Sequence, residues 1–374
     1  MNKQSISLGR LFGIPIYVDY SWFLIFALLT WTLAVGYFPS QFKNWPTVEY
    51  WLIGAATAIM LFVSVLLHEL GHSIVALFYK IPVRSITLFI FGGISQISSE
   101  PTTPLSEFLI SIAGPFVSVL LGVIFFIIRP LTTSTEPLLA LVQYLIYINI
   151  ALAIFNLIPG YPLDGGGVLM SIIWGVTQNM SRARIIAANV GRVIAYLFII
   201  LGVWQAFSGN FINGLWIAFI GFFLNSAASG QVQQQKIQDM LAGHRVSEAM
   251  SPNYTSLPED TTLQELVDEH ILGGGRRSFI VEEGGQVKGL LTLHHIKEVP
   301  RDQWPTTTVS QAMLPVGRLK QIHPDTELWT AMEAMDRDGV NQLPVMTDGK
   351  IQGMLTREDV ISYLRTLREF RSGS

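Results

Sequence analysis

Residues 50–79 read YWLIGAATAIMLFVSVLLHELGHSIVALFY, and this stretch decides how the chain folds. A helix that crosses a bilayer needs about 20 predominantly apolar residues, and this run is longer. Three ionisable residues interrupt it within five positions, namely His68, Glu69 and His72. Ionisable groups inside a span are costly to bury and are candidates for function by default. The stretch therefore predicts a transmembrane helix that carries a functional site.

The distribution of charge divides the chain of 374 residues into two parts. The 24 Lys and Arg and the 27 Asp and Glu make 51 charged residues, of which 16 lie in residues 1–230 and 35 in residues 231–374. These are about 7% and about 24% of the two segments, whereas an ordinary soluble domain carries about 25%. We therefore expect a polytopic α-helical membrane domain followed by a soluble domain.

The composition also excludes several classes of function. The front segment has a net charge of +2 and the back segment of −5, so neither has the basic patch that a nucleic-acid partner requires. The chain has no Cys, which excludes disulfides and thiolate metal sites. A metal site in this protein must use His and carboxylate ligands.

Charge-free runs of sufficient length predict six transmembrane helices in contact with the lipid bilayer. We place them near residues 18–38, 50–79, 106–129, 138–158, 187–207 and 212–229. The first run is too long for a cleavable signal peptide and no small-residue cleavage site follows it.

The orientation follows from the positive-inside rule, because six spans leave both termini on one side. The loops and flanks on the opposite side carry only Lys43 and Arg129. The short segments on the side of the termini carry Lys3, Arg10, Lys80, Arg84, Arg182, Arg184, Arg192 and Lys236. We therefore expect a multi-pass protein of the cell (plasma) membrane, with both termini and the soluble domain in the cytoplasm.

The pattern His68-Glu-x-x-His72 indicates a zinc site. Histidines four residues apart lie on one face of a helix and can bind one Zn²⁺ together. Glu69 is placed to take a proton from water at the metal. Two alternatives remain at this point, a polar contact between helices and the lining of a transport path.

A catalytic zinc normally has three protein ligands, and Asp164 is the candidate for the third. It follows an apolar run broken by Pro159 and Pro162 and is followed by three glycines. Broken helices at membrane depth occur where they line a cavity or are buried in protein. The alternative for Asp164 is an ordinary Asp-Gly turn at the interface. The other acidic residues of the front segment lie near span ends and are read as interfacial: Asp19, Glu49, Glu100, Glu107 and Glu136.

The two motifs together resemble the site-2 protease family of intramembrane zinc metalloproteases. The second motif of that family has the form Asn-x-x-Pro-x-x-x-x-Asp-Gly, and Asn156, Pro159, Asp164 and Gly165 keep its spacing. The resemblance implies that His68, His72 and Asp164 hold one Zn²⁺ per chain and that Glu69 is the catalytic base. It also implies substrates that are transmembrane proteins, cleaved within or near the bilayer.

Residues 85–91 and 94–99 are strand-like, and Gly92-Gly93 between them is typical of a hairpin turn. In the family, such a membrane-associated β-hairpin holds the substrate as an added strand, which implies that Gly92 and Gly93 lie at the substrate. The alternative is a plain linker after the second helix.

Asn149 and Asn156 are seven residues apart and fall on one helix face. Either can donate a hydrogen bond to the substrate or to a developing oxyanion. The alternative is that both only bridge helices. The segment 113–115, Ala-Gly-Pro, also looks like the family, although a helix kink explains it equally well.

The soluble domain repeats itself. The segment 246–250, VSEAM, recurs as VSQAM at 309–313, and GLLT at 289–292 recurs as GMLT at 353–356. The repeats resemble a tandem pair of CBS domains, which are α+β modules that commonly dimerise and often bind adenine nucleotides. We assign the domains as an intramembrane metalloprotease, a Gln-rich linker and two CBS domains, with bounds 1–230, 231–245, 246–300 and 309–366.

In CBS domains, a Gly-x-x-Thr/Ser-x-x-Asp stretch closes the nucleotide site. The second repeat keeps it, which implies that Thr356 and Asp359 bind ATP or another adenine nucleotide. The first repeat has His295 in place of the Asp. The alternative is that the pair only joins two chains as a homodimer.

The leading hypothesis is therefore a zinc endopeptidase of the site-2 type that cleaves transmembrane segments and is regulated through its CBS pair. The alternative is a membrane transporter or channel with CBS regulation. Glu69 distinguishes them, because a hydrolase needs this carboxylate for turnover and not for metal binding.

Overall fold

The computed structural model describes residues 5–272 and 278–372. Lys3, which contributes to the predicted orientation, lies outside the described residues, as do residues 273–277 of the first predicted CBS repeat. The chain forms two compact units, Met1–Gln235 and Lys236–Ser374.

Six helices of the described residues are long and apolar enough to cross a membrane, which confirms the predicted number. A seventh, shorter helix lies between the fourth and fifth of them. In chain order the helices that begin in the first unit are α1 (Ser21–Gln41), α2 (Thr47–Phe78), α3 (Pro104–Thr132), α4 (Glu136–Asn156), α5 (Asp164–Thr177), α6 (Met180–Phe207) and α7 (Phe211–Leu241).

Local signals define the beginning of α3. Thr103 precedes it and accepts a hydrogen bond from the backbone N–H of Ser106, while the Ser106 hydroxyl is 3.3 Å from the backbone N–H of Thr103. Pro104 occupies the first turn, where no backbone donor is needed. Pro115 lies inside the helix.

Glycines allow α2 and α3 to approach closely. A Cβ atom on Gly71 would lie 2.9 Å from the carbonyl oxygen of Ala113 and 2.9 Å from a methyl group of Val117. Small residues at such contacts are typical of helices that pack within a membrane. The contact holds the motif-bearing segment of α2 directly against α3.

A four-stranded sheet accompanies these helices, in the order β1 (Ser5–Leu11), β2 (Ile14–Asp19), β3 (Val83–Phe89) and β4 (Gly92–Ile97). Strands β2 and β3 are parallel, and the other neighbours are antiparallel. The predicted hairpin is therefore confirmed as β3–β4. Strands β1 and β2 are absent from the sequence-based prediction.

The position of the predicted turn was wrong. Ile90 and Phe91 form the turn, and Gly92 and Gly93 lie in β4. The reason is close packing, since a Cβ atom on Gly93 would lie 2.5 Å from Cγ of Glu69. Phe91 in the turn stacks on Phe223 of α7, with 4.3 Å between ring centroids.

The second unit is an α+β domain with two similar halves. Its strands are β5 (Ser256–Pro258), β6 (Ser278–Glu283), β7 (Gln286–Thr292), β8 (Leu314–Pro315), β9 (Gln342–Thr347) and β10 (Lys350–Thr356). Its α-helices are α8 (Val246–Ala249), α9 (Leu263–Glu265), α10 (Leu293–Glu298), α11 (Val309–Ala312), α12 (Leu328–Asp338) and α13 (Arg357–Ser372). A π-helical turn (Leu266–Ile271) continues α9, and 3₁₀ turns occupy Arg301–Gln303 and Val316–Arg318.

The antiparallel hairpins β6–β7 and β9–β10 occupy equivalent positions in the two repeats, and each ends in one of the recurring segments 289–292 and 353–356. Each half has an apolar core, built around Leu291 in the first and Leu355 in the second. Helix α7 extends to Leu241 and so covers most of the segment 231–245 that the sequence assigns to a linker.

Candidate metal centre

Three side chains predicted as ligands come together in the first unit. His68 and His72 lie one turn apart on α2, and Asp164 is the first residue of α5. His68 Nε2 lies 3.1 Å and His72 Nε2 3.3 Å from Asp164 Oδ2, and the two Nε2 atoms are 3.3 Å apart. Both imidazoles are buried, whereas the Asp164 side chain is 23% exposed.

The dimensions of this triangle fit zinc. Zinc binds imidazole nitrogen and carboxylate oxygen at about 2.0–2.1 Å, so two ligands at a tetrahedral angle are about 3.3 Å apart. The three observed separations of 3.1–3.3 Å match that edge. Among the described residues, His68, His72 and Asp164 are the His and carboxylate side chains that lie close enough together to hold a metal ion.

The outer nitrogen of each imidazole has a partner on α3. His72 Nδ1 lies 2.6 Å from the carbonyl oxygen of Ile110, which can only accept, so this nitrogen carries a proton. His68 Nδ1 lies 2.8 Å from the Ser118 hydroxyl. A partner on the outer nitrogen fixes the ring and leaves Nε2 free as a ligand, as is usual for histidines that bind metals.

Gly114 of α3 leaves open the space that an ion needs. A Cβ atom at this position would lie 2.1 Å from His72 Nε2 and 2.6 Å from His68 Nε2. The first of these distances is close to the length of a zinc–nitrogen bond, about 2.0–2.1 Å. Any side chain here would lie against both Nε2 atoms, which explains a glycine at this position of the helix.

Glu69 lies beside the same centre, against strand β4. Its Oε1 atom is 3.3 Å from the Cβ position of Gly93. The Ser73 hydroxyl lies 2.7 Å from that of Ser95 and joins α2 to the same strand. The candidate base is therefore held between the ligand helix and the edge of the sheet.

The structure places the two asparagines differently. Asn149 is fully buried, and its amide group donates to the Ser64 hydroxyl at 3.2 Å and to the carbonyl oxygen of Leu145 at 2.8 Å. It therefore bridges α4 and α2 one turn before His68. Asn156 is the last residue of α4 and is half-buried.

One acidic residue has surroundings that the sequence analysis missed. Glu107 is read above as interfacial, yet it is half-buried in α3, with Oε1 3.3 Å from the Tyr161 hydroxyl and 3.5 Å from the Ser111 hydroxyl. The spacing of Glu107, Ser111, Gly114 and Ser118 was the available signal. Steps of four, three and four residues place polar and small side chains on one helix face.

The residues predicted to bind a nucleotide form a helix cap. Asp359 Oδ2 accepts hydrogen bonds from the Thr356 hydroxyl at 2.7 Å and from the Thr356 backbone N–H at 2.8 Å, at the start of α13. In the first repeat, the backbone N–H of Thr292 lies 3.3 Å from His295 Nδ1. The two stretches are therefore structural equivalents with different side chains.

Comparison with known proteins identifies the family of the chain. The sequence profile of Peptidase family M50 matches residues 56–135 and 131–200, which include all three ligand candidates. A relative from Synechocystis sp., named as a zinc metalloprotease, is 35% identical over 97% of this chain and 96% of its own length. The chain belongs to peptidase family M50, the site-2 protease family.

This M50 peptidase is a multi-pass membrane protein and a zinc metalloprotease by family. Rip3 of Mycobacterium tuberculosis, also named as a zinc metalloprotease, is 32% identical over 98% of this chain and 94% of its own length. The solved structure of the site-2 protease from Methanocaldococcus jannaschii is 29% identical, with a TM-score of 0.44, and covers 61% of this chain and 95% of that chain.

The CBS domain profile matches residues 246–302 and 305–366. The second unit of the peptidase is therefore a tandem CBS pair.

Proposed function

We propose that the protein is an intramembrane endopeptidase that cleaves transmembrane segments of other membrane proteins. The observation that carries the proposal is the convergence of His68, His72 and Asp164 on one point, with Glu69 beside them and an open strand edge next to Glu69. When bound, zinc supplies a Lewis acid and lowers the pKa of water to near 7.

The protein side chains then have separate roles. His68, His72 and Asp164 hold the ion, and the carbonyl of Ile110 and the hydroxyl of Ser118 keep the imidazoles oriented. The Glu69 carboxylate takes a proton from water and delivers it to the nitrogen of the leaving amine, as a general base and then a general acid.

The length of α2 supports a site inside the membrane. Its 32 residues span about 48 Å, whereas the hydrocarbon core is about 30 Å thick. His68 lies ten residues before the end at Phe78, or about 15 Å along the axis. If the helix extends beyond the core by about 9 Å at each end, His68 lies about 6 Å inside the core, in the half nearer to Phe78.

Strand β4 supports a mode of substrate binding. Within the described residues β4 pairs only with β3, so its other edge has no strand partner. An unwound substrate segment can add to this edge through backbone hydrogen bonds. Gly92 and Gly93 lie at that edge, and Gly93 brings it against Glu69. Asn156 remains a candidate oxyanion donor, whereas the contacts of Asn149 support a structural role.

The test compares wild type with Glu69→Gln and His68→Ala in cells. We expect new fragments of transmembrane proteins in wild type that neither variant produces, and purified Glu69→Gln that retains about one Zn²⁺ per chain. A transporter would show no such fragments. Products cut only in soluble loops far from any span would exclude an intramembrane protease.

For orientation, we propose that both termini and the CBS pair are cytoplasmic and that the protein lies in the plasma membrane. The support is the excess of Lys and Arg on the side of the termini. Cysteine labelling from each side of the membrane, with single cysteines at Ser40 and Ser310, tests this. Labelling of position 310 from outside the cell would reverse the orientation.

We also propose that the CBS pair binds one adenine nucleotide per chain and joins two chains as a homodimer. The Thr356–Asp359 pair of the second repeat supports one nucleotide site. The equivalent position of the first repeat has His295 in place of the Asp, so we expect no second site there. The experiment titrates ATP, ADP and AMP into the full chain and measures its mass with and without them. Asp359→Asn, which keeps a capping oxygen, should weaken binding, and the matched change His295→Asn should not. Absence of binding at millimolar nucleotide would leave only the dimer.

A further inference from the structure

The position of the third ligand candidate, Asp164, is not fixed by the helix that carries the two histidines. His68 and His72 are held in register by one turn of the same helix, whereas Asp164 comes from 96 residues away from His68. It begins α5 directly after residues 157–163, which form an irregular segment. A metal site tolerates little error in the position of a ligand, so this segment must be fixed by other contacts.

The side chain of Tyr161 supplies one such contact. Its hydroxyl lies 3.3 Å from Glu107 Oε1 and 3.0 Å from the sulfur of Met170. A hydroxyl has one proton to donate, and a carboxylate is a much better acceptor than a thioether. The hydrogen bond therefore goes to Glu107 and ties the segment to α3, three residues before Asp164.

The backbone of Tyr161 is enclosed by two glycines. A Cβ atom on Gly166 of α5 would lie 2.3 Å from its nitrogen, and one on Gly191 of α6 would lie 2.0 Å from its carbonyl oxygen. Its backbone N–H also donates to the carbonyl of Ala187 at 3.3 Å. Tyr161 can therefore move little without moving the start of α5.

Glu107 shares its helix face with the residues that support the histidines. Gly114 faces both Nε2 atoms and Ser118 contacts His68, seven and eleven residues further along α3. Glu107 Oε1 also lies 3.0 Å from the Cβ position of Gly167 on α5. Burying a carboxylate is costly unless it has hydrogen-bond partners, and the catalytic roles above do not use this one. Its contacts with Tyr161 and with α5 indicate a structural role beside the metal centre.

We propose that Glu107 and Tyr161 are positioning residues that set Asp164 against the two histidines. The inference rests on the proposed zinc site. Helix α3 then aligns all three ligands, the histidines through Ile110 and Ser118 and the aspartate through the Glu107–Tyr161 hydrogen bond. Neither residue touches the reacting atoms.

The experiment measures the zinc affinity of purified full-length protein by competition with a chelator. Tyr161→Phe removes only the hydroxyl, and Glu107→Ala removes its acceptor. Loss of an outer partner of a metal ligand typically lowers metal affinity about 10- to 100-fold, and we expect about 10-fold for each variant. Glu107→Gln keeps an acceptor oxygen and should recover part of the loss. Tyr147→Phe on α4, where the side chain is 64% exposed, is the matched control and should bind as wild type.

The double variant Glu107→Ala/Tyr161→Phe provides the sharper test. Because the two residues act as a pair, it should bind zinc no more weakly than Glu107→Ala alone. Additive losses, or affinities equal to that of wild type, would overturn the inference. The thermal stability of the metal-free variants should match that of metal-free wild type. A loss of stability large enough to account for the loss of zinc affinity would also overturn the inference, since it would indicate general destabilisation. Wild type that binds no zinc would instead overturn the proposed metal site, and the inference with it.

Discussion

The two units of this peptidase bury different kinds of side chain. Among the described residues, all buried polar side chains lie in the first unit, between Thr30 and Gln235, and several of them contact the metal centre or the helices that form it. The buried side chains of the second unit are apolar, and most of them belong to the cores around Leu291 and Leu355 or to a third cluster that includes Leu290 and Met354. Polar groups are buried at a cost unless they have partners. The first unit therefore buries polar residues around its reaction centre, whereas the polar residues described in the second unit are at least partly exposed.

The largest expected effect removes chemistry from the first unit without removing the metal. Glu69→Gln should lower the rate of cleavage by about 10²- to 10⁴-fold, the usual contribution of a general acid–base. Zinc content, measured by atomic absorption, should stay near that of wild type. Loss of zinc in this variant would mean that Glu69 belongs to the ligands.

A second prediction concerns the space that the polar centre needs. Gly114→Ala places a methyl group where it would lie 2.1 Å from His72 Nε2, so zinc affinity should fall by at least about 100-fold with all ligands present. Gly36→Ala in α1 is the control, because nothing lies within 4 Å of its Cβ position. Normal zinc content in Gly114→Ala would place the ion elsewhere.

A third prediction addresses the apolar core of the second unit. Leu291→Ala removes a fully buried side chain and should lower the free energy of unfolding of this unit by about 2–5 kcal/mol. Hydrogen exchange at residues 278–292 of the full-length protein measures the change. The zinc affinity of the first unit should not change. A loss of zinc affinity in Leu291→Ala would contradict the view that the apolar core of the second unit and the polar centre of the first are independent.

The smallest expected effect concerns a polar cluster at the surface of the second unit. The Glu248 carboxylate accepts hydrogen bonds from Tyr363 and His244, which lower its pKa from 4.5 to about 2. A pKa lowered by folding adds stability above about pH 4.5, and this stability is lost as the pH falls towards 2. The thermal midpoint of wild type should therefore fall more over this range than that of Glu248→Gln. Parallel curves for the two proteins would indicate that the cluster contributes nothing.

The sequence was sufficient to predict the six long helices, the β3–β4 hairpin and the paired repeats, because each has a strong local pattern. It was insufficient for β1, whose residues are almost all exposed and show no alternation. Strand β2 needs a distant partner, β3, to form a parallel ladder. The contact between Glu107 and Tyr161 joins residues 54 positions apart. Glu107 was read as an interfacial acid and Tyr161 drew no prediction, because the role of each depends on how the helices pack.

Gly71 has a further consequence for how such enzymes are recognised. The general pattern His-Glu-x-x-His leaves both middle positions free. In this protein the second of them is fixed by the neighbouring helix, since a side chain at Gly71 would strike the carbonyl oxygen of Ala113 at 2.9 Å. To make room for such a side chain, α2 and α3 would have to move apart. This movement would separate His72 from the carbonyl of Ile110, which lies one turn from Ala113 on α3. A search for membrane-embedded zinc sites in uncharacterised genomes gains selectivity by requiring a glycine there, together with a glycine on a second apolar segment that faces both histidines.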